Sequence, residues 1–152
     1  MNKRDKTKAE NRNCTESLRL TALTETIEGV DYTFEYLYDS FGRLYQTTYP
    51  DGLKIRYTYN GNFLKTITDV ATGINLVSNV NYNARGQVIS YTQGNGNIVN
   101  NSFNNYGYIT NKTFGPTNSR MQFTYCFDPQ TQNLDSRSLK NFATNTTQTE
   151  YF

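Results

Sequence analysis

Residues 32–59 read YTFEYLYDSFGRLYQTTYPDGLKIRYTY, and this stretch decides the fold. Tyr32, Phe34, Tyr36 and Tyr38 alternate with Thr33, Glu35 and Leu37. Period two with β-favouring side chains predicts a strand with one aromatic face. Asp39-Ser40-Phe41-Gly42 follows. Asp suits the first position of a type I turn, because its carboxylate accepts from backbone amides further on. Gly suits the fourth, where the chain enters the left-handed region and restarts the partner strand through a bulge. Arg43 to Tyr49, including Leu44, is the predicted return strand. Tyr49-Pro50-Asp51-Gly52 is a second turn of the same kind, with Pro50 fixing φ at its second position. Leu53, Ile55, Tyr57 and Tyr59 then alternate with Lys54, Arg56 and Thr58. Three antiparallel strands with matched turns predict a meander.

Weaker copies extend the pattern in both directions. Upstream, Leu18 to Ile27 is strand-like, and Glu28-Gly29-Val30-Asp31 reads as a turn into the central stretch. Downstream, Asn60-Gly61 is a two-residue hairpin signal of type I′. Phe63 to Thr68 is a return strand, Asp69 to Gly73 a turn, and Ile74 to Tyr82 alternates again. Asn83-Ala84-Arg85-Gly86 copies the first turn with Asn for Asp. Gln87 to Thr92 is a strand, Gln93 to Asn97 a Gly-rich turn, and Ile98 to Phe103 leads to Asn104-Asn105-Tyr106-Gly107. Tyr108 to Phe114 returns, and Gly115-Pro116-Thr117-Asn118 breaks it. Met121, Phe123, Tyr125 and Phe127 form another aromatic face. Asp128-Pro129-Gln130-Thr131 keeps the turn's Asp but lacks its Gly. Leu134 to Phe142 is expected to be the last full strand. The aromatics before each Asp or Asn are Tyr38, Tyr59, Tyr82, Phe103 and Phe127, so the period is just above twenty residues. Each period holds two strands and two turns, the mark of an array stabilised by its neighbours.

The 152 residues suffice for one domain, burying roughly 70% of its unfolded surface. Mean hydropathy is −0.74, and no apolar run is long enough to span a bilayer. Residues 1–20 hold six basic and three acidic residues, and the remainder nine basic and ten acidic. The body therefore does not read as a nucleic-acid surface. Residues 1–17 are charged and lack a hydrophobic period, which reads as a disordered or poorly docked arm. A basic arm for acidic lipid or nucleic acid is the competing reading, and acidic residues interspersed in it argue against that. No signal-peptide core is present in this segment.

Tyr38-Asp39-Ser40-Phe41-Gly42-Arg43-Leu44 resembles the YD, or RHS, repeat signature Y-D-x-x-G-R-L. Tyr49-Pro50-Asp51-Gly52 resembles the family's frequent second turn. The signature is recognisable in Tyr82-Asn83-Ala84-Arg85-Gly86 and weaker in Phe103-Asn104-Asn105-Tyr106-Gly107. It departs at Asn60, where the turn is shorter, and after Phe127-Asp128, where Gly is missing at Thr131. The resemblance covers residues 18–152. The family includes bacterial polymorphic toxins, the C components of insecticidal toxin complexes and, distantly, teneurins. The resemblance implies an all-β fold: an antiparallel meander that forms part of a spiralling hollow β-shell. It further implies a secreted or cell-surface parent protein. The implied partners are neighbouring repeats and an enclosed toxin domain or toxin-complex subunit, with cell-surface glycans as a further possibility. No core segment ending the shell and no toxin domain is recognisable in these residues.

Chemistry is sparse. There is no His, which removes Ser-His and Cys-His nucleophile pairs and His-based metal sites. Cys14 and Cys126 lack C-x-x-C spacing; they are free thiols or, in an exported chain, a disulfide. Asp39 and Asp51 have the residue types of a glycosidase pair, but their turn positions already account for them. Gly94-Asn95-Gly96-Asn97 precedes no helix and does not resemble a phosphate loop. No metal or cofactor site and no catalytic residue is expected. Tyr and Phe rows beside polar side chains suit either cross-strand pairing or stacking on sugar rings. The leading expectation is a structural wall segment around a toxic cargo. A carbohydrate-binding or adhesion module is the alternative.

Overall fold

The computed structural model describes residues 9–14, 19–116 and 120–152, the first of these segments through its backbone alone. Its strands are β1 (Ala9–Cys14), β2 (Leu20–Ile27), β3 (Val30–Tyr38), β4 (Leu44–Thr48), β5 (Lys54–Asn60), β6 (Phe63–Asp69) and β7 (Asn75–Tyr82). They continue as β8 (Val88–Gln93), β9 (Ile98–Phe103), β10 (Ile109–Gly115), β11 (Met121–Phe127), β12 (Leu134–Asn141) and β13 (Thr146–Tyr151). The strands neighbour one another in the order in which they occur in the chain. This is the antiparallel meander that residues 32–59 predict. No α-helix occurs among the described residues.

The described residues divide between two compact units. One runs to Thr58 and takes in Ile67–Ile74; the other comprises Tyr59–Thr66 and Asn75–Phe152. In the first, the register places Tyr36 opposite Thr47 and Thr47 opposite Ile55. Phe34 shares that face and meets Tyr49 edge-on at 5.7 Å. The other face is polar: Thr24 Oγ1 lies 2.9 Å from Thr33 Oγ1, and Thr26 donates to Asp31 at 2.6 Å. In the second unit, Tyr91 stands opposite Val99 and Val99 opposite Phe114. Phe114 meets Phe123 edge-on, and Phe123 stacks beside Tyr125. The reverse face carries Thr113, Gln122, Thr124, Ser138 and Thr149, with Ser138 and Thr149 in hydroxyl contact at 2.9 Å. Each unit thus has one aromatic face and one face of small polar side chains. Among the described residues only Ile55 and Val99 are buried hydrophobic side chains, at 5% and 0% exposure. Cross-strand pairs and backbone ladders, not a dense aliphatic core, hold such a sheet together.

Several expectations need correction. The expected arm, residues 1–17, lies largely outside the described residues, but Ala9–Cys14 forms a strand paired with β2. A strand with one partner takes its hydrogen bonds from backbone groups, so polar residues without a hydrophobic period suffice. Asn60 belongs to β5, and the two-residue loop is Gly61-Asn62. Gly61 has φ +57 while Asn62 does not have positive φ, the pattern of type II′, not I′. The type I′ pattern occurs three hairpins earlier, where Glu28 and Gly29 have φ of 53° and 80° between paired Ile27 and Val30. In β7 the alternation breaks at Asn79, whose φ is +52 and where the ladder shifts. Leu134–Asn141 is not the last strand, since β13 pairs with it. Leu18 and the break at Thr117 and Asn118 lie outside the described residues.

Candidate functional site

The motif residues build turns, and the turns have one chemistry. Asp39 N–H donates to Arg43 O at 2.9 Å, and Gly42 N–H to Asp39 O at 2.9 Å. Asp39 Oδ1 accepts from the amides of Phe41 and Arg43, both at 2.9 Å. Its Oδ2 accepts from Arg43 Nε at 2.7 Å and pairs with Nη2 at 2.6 Å. Gly42 sits at φ +79, as the turn requires. Partial desolvation raises the Asp39 pKa, but the Arg43 guanidinium and the amides of Arg43 and Phe41 outweigh it and hold it below the ordinary value.

The second copy keeps the geometry without the charge. Asn83 Oδ1 accepts from Arg85 and Gln87 amides at 2.9 and 3.0 Å, and Asn83 Nδ2 donates to Gln87 Oε1 at 2.9 Å. Gln87 thereby takes the place of Arg43. In the third copy Asn104 Oδ1 accepts from Tyr106 and Tyr108 amides at 3.0 and 2.9 Å. Gly86 and Gly107 have φ of 77° and 91°. The fourth copy is longer by one residue. Asp128 Oδ1 accepts from the Gln130 and Thr131 amides, and Gln132, at φ +61, fills the left-handed position. Asp69 to Gly73 is built the same way, with Gly73 at φ +69. A side chain other than Gly, Asn or Asp in that conformation costs roughly 1–2 kcal/mol. The amides of Thr131 and Gln130 hold Asp128, and the Thr72 hydroxyl and Ala71 amide hold Asp69, below the usual carboxylate range.

Tyr49-Pro50-Asp51-Gly52 closes through the same backbone bonds as the first turn, Tyr49 N–H to Leu53 O at 2.8 Å and Gly52 N–H to Tyr49 O at 2.9 Å, but places its carboxylate differently. Asp51 stands third, not first, and its Oδ1 accepts from the Leu53 amide at 3.0 Å. Gly52 has φ +86. Asn95 repeats this role toward Asn97 at 3.1 Å. Asp39 and Asp51 thus serve separate turns, and both carboxylates are engaged by local amides.

The turns opened by Asp39, Asn83, Asn104 and Asp128 are each followed by an extra residue in the returning strand. Tyr38 pairs with Leu44 but Leu37 with Gln46, leaving Tyr45 unpaired. Ile89, Thr110 and Asp135 are left out in the same way, beside the pairs Tyr82–Val88, Phe103–Ile109 and Phe127–Leu134. The bulge survives at Asp135 although its turn has no Gly.

Sequence reasoning missed a second layer of contacts, spaced by 19 residues. The Arg19 guanidinium lies 5.7 Å from the Tyr38 ring centroid. Phe63 packs on Tyr82 at 4.7 Å, and Tyr108 stacks on Phe127 at 5.1 Å. In two copies the motif tyrosine also reaches back 18 residues: Tyr38 donates to Leu20 O at 2.8 Å and Tyr82 to Leu64 O at 2.9 Å. Between the second and third turns, Arg85 donates to Asn105 O at 2.7 Å and Gln87 to Gly107 O at 2.8 Å. Equal spacing between an aromatic or Arg and the next copy's aromatic was the available signal.

Two surface recesses lie beside these turns. One is lined by Val30, Asp31, Tyr32, Tyr49, Pro50 and Asp51. The other, of about 310 Å³, lies between the third and fourth turns and is lined by Asn104, Tyr106, Thr110, Tyr125, Phe127 and Gln132 among others. No cluster of metal-ligating side chains occurs among the described residues. Cys126 is exposed with a free thiol, while the side chain of Cys14 lies outside the described part.

No family model matches the chain, and no curated protein matches it. Solved structures do. A TcdB2-TccC3 crystal structure matches with a TM-score of 0.69 at 16% identity, covering 84% of this chain and 7% of that one. TcdB2-TccC3-Cdc42 matches with a TM-score of 0.70 and the same identity and coverage. A Photorhabdus luminescens Tc holotoxin pore matches with a TM-score of 0.71 at 17% identity, covering 90% of this chain and 8% of that one. The chain therefore spans less than a tenth of the length of these toxin-complex chains and shares the fold of that portion, an antiparallel β-meander.

Proposed function

We propose that this chain is a structural repeat module of the RHS type, supplying wall to a β-shell that encloses a toxin domain in a secreted bacterial toxin. One observation carries the reading. The repeated residues spend their polar atoms on the repeat itself: Asp39, Asn83, Asn104 and Asp128 each cap their own turn. Such a unit extends a sheet without adding a reactive centre. The likeness to toxin-complex chains supports the same reading. So does the scarcity of buried aliphatic side chains, since a compact sandwich packs two dense inner faces against each other. The partners of the segment are then neighbouring repeats and the enclosed cargo, and its role is containment, not catalysis. No helix among the described residues is long and apolar enough to cross a membrane.

The test is a structure of the parent protein. The expected result is a wall whose one face borders an enclosed space across residues 32–142. A second sheet packed side chain to side chain over the aromatic face, with no space enclosed, overturns the proposal.

A further inference from the structure

The recess beside Pro50 lies at a step in the sheet. β3 pairs with β2 as far back as Val30, but with β4 only from Glu35 onward. The first residues of β3 therefore project past the turn at 49–52. The notch so formed is lined by Val30, Asp31, Tyr32, Tyr49, Pro50 and Asp51 and has a volume of about 500 Å³, within the range of small-molecule sites. On this side the backbone of residues 31–33 has no paired strand beside it. Pro50 has no N–H with which to extend the ladder.

Tyr32 and Tyr49 bring exposed rings to the notch, and Phe34 backs Tyr49 edge-on at 5.7 Å. Asp31 and Asp51 bring carboxylates, each with one oxygen engaged. Asp31 Oδ1 accepts from the Thr26 hydroxyl at 2.6 Å, and Asp51 Oδ1 from the Leu53 amide at 3.0 Å. The Oδ2 of each is open among the described residues, and no Lys or Arg lines the notch. The described cations of this unit lie elsewhere. Arg43 is paired with Asp39, Arg19 lies over Tyr38 and Arg56 over Tyr45. Lys54, opposite Thr48, stands on the reverse face of the sheet from the two rings. Glu25, opposite Tyr32, adds to the negative potential.

We infer that this notch is a binding site for the guanidinium of an arginine carried on a peptide segment. A planar, weakly hydrated cation stacks on Tyr faces, and its fork of N–H donors suits the carboxylate oxygens left open. An ammonium is a more strongly hydrated point charge and has no plane to lay on the rings. A neutral ligand would cover both carboxylates without pairing them, at the expense of their hydration. The backbone at 31–33 selects a peptide over a free amino acid, because an extended segment can add to an open strand by main-chain bonds. The carboxylates alone would not define a site; the rings and the open backbone beside them do. This inference goes beyond the wall reading and does not depend on it.

The experiment is ligand-observed saturation-transfer NMR on the 152-residue chain, which self-association does not impede. The probe is N-acetyl-arginine methylamide. The comparators are its neutral isostere N-acetyl-citrulline methylamide, the corresponding lysine derivative and free arginine. The capped arginine is expected to bind saturably in the millimolar range, about threefold or more tighter than the lysine derivative and free arginine, while the citrulline derivative does not saturate. Asp31→Asn and Asp51→Asn each weaken it by about threefold or more, and so does Tyr32→Ala. Both Asn variants keep the oxygen that Thr26 and Leu53 use, and Asn95 already serves the place of Asp51 in another turn. Their melting temperatures at neutral pH should match that of the parent chain. Citrulline binding as well as arginine, free arginine binding more tightly than the capped form, binding unchanged in both Asn variants, or no binding at all overturns the inference.

Discussion

Asp39 and Asn83 occupy the same place in two copies of one turn, and the pair separates what a carboxylate adds from what a side-chain oxygen already does. Both accept two backbone amides; Asp39 alone adds an ion pair, with Arg43. The folded chain holds Asp39, Asp69 and Asp128 below the ordinary carboxylate range. A depressed folded pKa stabilises the fold above the unfolded value, and that stabilisation is lost as pH falls through the folded one. The melting temperature should therefore be insensitive to these groups from neutral pH to about 5 and decline below about 4. Asp39→Asn should keep the turn and flatten part of that decline in thermal melts; an unchanged acid profile would remove Asp39 from the account. Gly42→Val places a β-branched residue at φ +79, and its Cβ would fall on the Arg19 guanidinium. The guanidinium can swing aside, so the backbone decides, and the variant should lose more than about 1 kcal/mol in denaturant unfolding.

The elements show what was legible. Asp/Asn-x-x-Gly turns close through bonds within five residues, so Asp39, Asn83 and Asn104 could be read as turn openers from the sequence. The alternation of Tyr32 to Tyr38 fixed the aromatic face of β3 in the same way. Contacts such as Phe63 on Tyr82 depend on register between strands, which no single strand encodes. Gln132 escaped notice because the longer turn moves the left-handed position one residue beyond where Gly was sought. The strand β1 escaped because an outer strand needs only its backbone. That last point yields a prediction for the opposite end. Every residue of β13 is exposed, and its ion pair, Arg137 with Glu150, is itself exposed and therefore weak. Hydrogen exchange should be fastest in β13 and slowest around fully buried Val99 in β9. Equal protection in the two strands would show that β13 is covered in solution.

For the whole molecule the balance of buried and exposed apolar surface sets the behaviour. Among the described residues two hydrophobic side chains are buried, while Phe41, Tyr106, Tyr151 and Phe152 are each at least 69% exposed. Soluble monomers tolerate scattered apolar residues, but not aromatic sheet faces beside unguarded edges. β13 has no Lys or Pro to deter pairing, and its one charge is already committed to Arg137. Its outer backbone groups meet no further strand among the described residues. Association supplies both missing partners at once, a strand for the edge and a cover for the rings. In a parent shell, neighbouring repeats would do this within one chain; in the isolated 152-residue chain only other copies can. Sedimentation velocity should show a weight-average coefficient that rises with concentration in the micromolar range, and the rise should be stronger in high salt, where charge repulsion is screened. A concentration-independent monomer with one cooperative unfolding transition would mean that the aromatic faces are already covered within the chain, and the wall reading would lose its physical basis.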